Sequence, residues 1–210
     1  MIFVELPRHL FEVVEKIPSH LVDMPYLFTN GNLRNQDIPL EFKCLRNYSK
    51  YHDVNLIPVD IDVSSTLSED VNEMFATFNK DDDYKKLVLD RLSLIKENGF
   101  VYLNSDEYMD FFEKIEIAEK NIVETHMDKN KLLHTYKLFQ EENFVTRENA
   151  MLENIYNYSK ENQYNQAVFL IGAGHRKSII PKIIEYEKKS EMKLNWQELD
   201  LWSVHYRDRK

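Results

Sequence analysis

Three short apolar runs, far apart in the chain, limit what this sequence can fold into. They are residues 1–6 (MIFVEL), 54–59 (VNLIPV) and 167–171 (AVFLI). Each is too short for a stable helix, rich in β-branched or aromatic residues, and bounded by proline, glycine or charge, so each reads as a strand. The runs are continuously apolar rather than alternating, which is the pattern of strands covered on both faces, as in a parallel sheet. Between them lie stretches with helical spacing: 8–16, 40–51, 65–78, 81–97, 105–126, 128–141, 146–161 and 178–189. Ser64, Ser65, Asp81 and Asp82 supply N-cap chemistry, Gly99 a stop, and Asp106 and Glu107 an acidic first turn after Ser105. Residues 19–39 read as a loop and 194–204 as a last strand. The expected class is α/β: a mostly parallel sheet flanked by helices. Residues 65–141 are too long for one crossover and are expected to form a helical insertion or cap within a single domain, 1–210.

Charge narrows the partners. With 36 acidic against 27 basic residues the formal net charge is −9, which repels phosphate backbones and anionic lipid surfaces. No nucleic-acid or membrane role is expected. No apolar stretch reaches the roughly 18–20 residues that span a bilayer, and no basic, signal-like segment precedes residue 1–6, so the cytoplasm is the expected compartment. Cys44 is the single cysteine and is expected to be a small buried hydrophobe on a helix whose Leu45 and Tyr48 are available to pack.

In open α/β sheets, ligands bind outside the carboxyl ends of the strands. Glu5, then Asp60 and Asp62, then His175 fall at those ends. A carboxylate beside an imidazole suits metal binding or general acid–base work. Gly172 and Gly174 flank a tight turn that allows close backbone approach to a ligand, and His175 follows it. The plainer account of the same residues is an ordinary strand-to-helix turn with a surface histidine. Arg147 opens a helix where its charge opposes the helix dipole, so it invites either a functional role or an ion pair with Glu142 or Glu148. Glu153 and Asn154 read as solvated. His9, His20, His52, His126, His134 and His205 read as surface or structural. No CxxC, HExxH, GxSxG or P-loop motif is present.

Residues 146–180, with Arg147, Met151, the apolar run 167–171 and Gly174-His175, resemble the closing signature of the superfamily that joins erythromycin esterase-like, ChaN-like and TraB-like proteins. IFVELP resembles that superfamily's second strand, ending in a Glu (here Glu5), and LIPVDID its third, whose Asp is here Asp62. The resemblance implies an α/β sheet with a helical insertion and a pocket holding Glu5, Arg147 and His175. Members include ester hydrolases, metal-dependent proteases and haem binders. The superfamily's usual opening strand, ending in GExH, has no counterpart here, so the chain reads either as an N-terminal truncation or as a protein without those groups. A missing strand would leave a sheet edge open to a homodimer.

Three readings follow. The first is a hydrolase acting on a small-molecule or peptide substrate, with catalytic Glu5, Arg147 and His175. In that reading Glu5 and His175 activate water or hold a divalent metal, and Gly172, Gly174 and Asp62 line the ligand site. The second is a binding module for haem or another anionic small molecule, with His175 as axial ligand. The third is a domain that keeps the scaffold without catalysis.

Overall fold

The computed structural model describes residues 1–16, 40–63 and 69–198. The expected loop at 19–39, His20, His205, the start of the helix expected from residue 65, and positions 199–204 of the expected last strand fall largely or wholly outside those residues. The chain divides into two compact units. One comprises Met1–Val63 and Val145–Gly172, the other Ser64–Phe144 and Ala173–Lys210.

The first unit holds the sheet. Strand β1 (Ile2–Pro7) is central, with β2 (Leu56–Asp60) on one side and β3 (Val168–Leu170) on the other, both parallel to it. Ile2, Phe3, Val4 and Leu6 are all buried, which is why this run is apolar without alternation. Pro58 sits in β2, an edge strand where a missing backbone donor is tolerated. Ile2, Val4 and Leu6 pack with Leu10 and Phe11 of α1 (Arg8–Lys16), with Leu45 of α2 (Leu40–His52), and with Val54 and Leu56. Phe3 meets the edges of Tyr158 and Tyr164 at ring-centroid distances of 5.7 and 6.2 Å. Register slips between Val4 and Pro7, so Pro7 pairs with Asp60.

The helix preceding β3 runs Arg147–Glu161 and is α7 in chain order, after the helices of the second unit: α3 (Glu69–Phe78), α4 (Asp82–Leu103), α5 (Asp106–Thr125) and α6 (Lys129–Gln140). A π-helical turn, Glu141–Thr146, leads into α7. Met151, Leu152, Ile155 and Tyr156 of α7 are completely or almost completely buried. Their 3.6-residue spacing makes one apolar face.

In the second unit Val71, Met74, Phe78, Tyr84, Ile115, Val123, Leu132 and Tyr136 form the core of α3–α6. The caps expected at Asp81 and Ser105 are present, while Ser64 and Ser65 lie outside the described residues: Asp81 Oδ1 accepts from the Tyr84 N–H at 2.8 Å, and Ser105 Oγ from the Tyr108 N–H at 3.1 Å. Gly99 breaks α4 with φ 55°, and helical geometry then resumes as far as Leu103. A 3-10 turn (Ala173–His175) opens α8 (Arg176–Lys189). The helix starts two residues earlier than its spacing suggested, so Pro181 lies in its second turn rather than its first.

Three expectations need correction. Over the described residues the protein is mostly helical with a small sheet of three parallel strands, so "mostly parallel sheet" overstates the strand content. Residues 194–198 carry no regular structure, so the last strand is not formed over those residues. Cys44 is exposed, and Tyr48 is 50% exposed with its ring against His52. The inward face of α2 passes through Leu45 and the buried Arg46. Cys44 and Tyr48 each lie about 160–200° around the helix from Arg46 at 100° per residue. Among the described residues, no helix is long and apolar enough to cross a membrane.

Candidate functional site

The carboxyl ends of the three parallel strands carry a cluster of charge. β1 ends with Glu5 followed by Leu6 and Pro7, and β2 ends on Asp60. The chain leaving β3 brings Gly172 to the same edge. Arg147, the first residue of α7, completes the group. Its Nη2 donates to Glu5 Oε1 at 2.7 Å and to Asp60 Oδ2 at 2.5 Å, and its Nε donates to Asp60 Oδ1 at 3.1 Å and Oδ2 at 3.2 Å. The fork geometry of a guanidinium suits this two-oxygen grip.

The second oxygen of Glu5 is also engaged. The Gly172 N–H donates to Glu5 Oε2 at 2.5 Å. A Cβ at position 172 would stand 3.1 Å from that oxygen, tighter than most real contacts, so a small residue at this turn lets the backbone reach the carboxylate. α7 is tied to β2 by Asn154, whose Nδ2 donates to the Val59 carbonyl at 2.8 Å.

Burial is graded across the cluster. The side chain of Asp60 is 2% exposed, that of Glu5 17% and that of Arg147 20%. Burial works against the Arg147 charge, but hydrogen bonding and attraction to Asp60, then Glu5, outweigh it and push its pKa above the ordinary arginine value. The locally unfavourable placement of a cation at a helix N-terminus, worth about 0.3–1 kcal/mol at exposed sites, is therefore offset by two partly desolvated carboxylates. With one positive and two negative groups, the cluster carries a net negative charge.

The expected site residues divide. Glu5, Arg147 and Gly172 come together. Asp62 does not join them: it lies past the end of β2 and pairs with His9 Nδ1 at 2.9 Å, both side chains more than half exposed. The acid that does join is Asp60, two positions earlier. Asn154, expected to be solvated, is exposed as a residue yet serves as a tie to β2.

His175 and Gly174 belong to the second unit. The surface histidine expected on the plainer account is not found, because His175 is 5% exposed and its ring lies 5.2 Å from that of Phe144. Gly174 faces the Phe112 ring, 3.5 Å from where a Cβ would stand. His126 and His134 are exposed, and His126 Nδ1 accepts from the Asp128 N–H at 3.2 Å.

The residues do not fit a metal or a haem well. Both Glu5 oxygens are occupied, and among the described residues no group of three or more His, Cys, Asp or Glu could hold a metal ion. An axial haem ligand needs an open ring nitrogen face, and His175 is enclosed beside Phe144.

Comparison with protein-family models, with curated proteins and with solved structures finds no match to this chain.

Proposed function

We propose that this chain is a hydrolase of the erythromycin esterase-like, ChaN-like and TraB-like type, acting at the carboxyl edge of its sheet. The observation that carries the reading is the 2.7 Å contact between Glu5 and Arg147. These are the two first-unit members of the Glu5, Arg147 and His175 set that the resemblance implies, 142 residues apart in sequence, and they meet where parallel sheets bind ligands. In this reading Asp60, sealed from solvent, holds the guanidinium in place. Glu5 is the more accessible carboxylate and orients and deprotonates a water molecule. As Glu5 takes up the proton its attraction for Arg147 falls, and the Nη2 donor turns to the oxyanion developing on the substrate. The net negative cluster suits a neutral ester or amide better than an anionic ligand, which weighs against the anion-binding alternative.

The test is hydrolysis of p-nitrophenyl acetate and butyrate and of a set of unblocked peptides by the full chain. Glu5→Gln should cut kcat/KM by about 100-fold or more while the far-UV circular dichroism stays unchanged. A folded Glu5→Gln variant with undiminished turnover overturns the reading, as does wild-type protein inert toward every substrate. A second reading, a scaffold without turnover, draws on the full engagement of both Glu5 oxygens, by Arg147 and by Gly172. It predicts inert wild-type protein whose stability nevertheless depends on Arg147.

A further inference from the structure

The second unit contains an acid that neither reading uses. Glu119 lies on α5, partly buried, between two helices. Its Oε1 accepts from the Tyr84 hydroxyl of α4 at 3.4 Å and its Oε2 from the Tyr136 hydroxyl of α6 at 3.3 Å. Both tyrosines belong to the main core of this unit, with Phe78 against both rings at centroid distances of 5.6 and 6.0 Å. One carboxylate thus bridges three helices at the rim of an aromatic core.

We propose that Glu119 is a proton-controlled clamp: protonated, it lets α4, α5 and α6 close around the Tyr84–Phe78–Tyr136 core, and ionised, it loosens them. The geometry supplies the reason. A carboxyl group can both donate to one phenol oxygen and accept from the other phenol, so the neutral form is satisfied without solvent. The ionised form keeps two long acceptor bonds but loses most of its hydration, and desolvation of a charge costs more than such bonds return.

The surrounding charges do not reverse this. From α4 come Tyr84 and Arg91, from α5 itself Glu116, and from α6 Tyr136, whose hydroxyl also interacts with Gln140. The turn Ala173–His175 packs at the other end of α5, near Tyr108 and Met109, and brings His175 there. Burial raises the Glu119 pKa most. The Tyr136 and Tyr84 hydrogen bonds lower it, Glu116 raises it and Arg91 lowers it, leaving it at about 7. The same contacts, with burial foremost, push Tyr84 up to about 12 and Tyr136 upward as well, so neither phenol titrates in the working range.

For an acid whose folded pKa exceeds its unfolded value, the folded state binds the extra proton between the two. Stability is therefore lost as pH rises through that window. From the ordinary value of 4.5 to about 7, the opening equilibrium of α4–α6 should rise on the order of 50-fold between pH 5 and pH 8.

Hydrogen–deuterium exchange of the full chain tests this, on peptides from residues 82–140 and corrected for the intrinsic pH dependence of exchange. Wild-type protein should show that rise with a midpoint near neutrality, and Glu119→Gln should flatten it. Tyr84→Phe removes a donor that favours the ionised form, so its midpoint should move upward. Wild type and Glu119→Gln with the same pH profile would overturn the clamp. If Glu119→Gln does not fold, an unmoved midpoint in Tyr84→Phe overturns it instead.

Discussion

Replacing Arg147 with methionine removes the guanidinium that bridges Glu5 and Asp60 while keeping the length of the side chain. Asp60 then loses three hydrogen bonds and Glu5 one. With the Asp60 side chain 2% exposed and that of Glu5 17%, neither carboxylate can recover full hydration. Stranding buried charge in this way costs about 3–5 kcal/mol, and the 20% exposure of Arg147 favours the lower half of that range. Urea denaturation followed by far-UV circular dichroism measures the loss, with the sheet unit expected to unfold at lower denaturant. A loss under about 1 kcal/mol at pH 7, the size of an exposed ion pair, would refute the idea that this cluster is desolvated.

Gly172→Ala brings a methyl group to 3.1 Å from Glu5 Oε2. It should cost about 1–3 kcal/mol as an overpacked substitution, and in the hydrolase reading it should lower turnover along with stability. A melting curve indistinguishable from wild type would show that the turn yields freely. Ser105→Ala removes the oxygen that caps the Tyr108 N–H at the start of α5 and should cost about 1 kcal/mol, with exchange increased at the first turn of α5. Unchanged exchange there would mean that water replaces the cap.

Much of the first unit is legible in the sequence because its signals are local. The run 1–6 is apolar because β1 is covered on both faces, while 54–59 and 167–171 flank it with Leu170 exposed at the sheet edge, and Arg147 stood out because it violates a helix-end preference. The choice of Asp62 over Asp60 failed for a reason that single-residue spacing does not encode. The two lie on the same side of an extended strand, but β2 stops at Asp60, where the slip between Val4 and Pro7 sets Pro7 opposite it. Asp62 therefore falls beyond the sheet, within reach of His9. His175 misled in another way. The plainer account of a glycine-rich strand-to-helix turn made it a surface histidine, whereas its ring is buried against Phe144 and Phe112 lies against Gly174, both rings distant in sequence. In the second unit each helix was readable from its own spacing and caps. The bridge from Glu119 to Tyr84 and Tyr136 was not, because it depends on which faces of α4, α5 and α6 meet.

The central position of β1 also governs how the protein is made. Ile2 aligns with Leu56 on one side and with Val168 on the other, so the sheet joins segments separated by most of the chain. Closing so long a loop is entropically costly, and chains dominated by such distant pairings fold slowly. During synthesis β1 leaves the ribosome well before its β3 partner exists, and α3–α6, whose contacts are nearer in sequence, can assemble in the interval. Until residue 168 emerges, one edge of β1 stays unpaired, which makes the nascent chain a natural client for a chaperone.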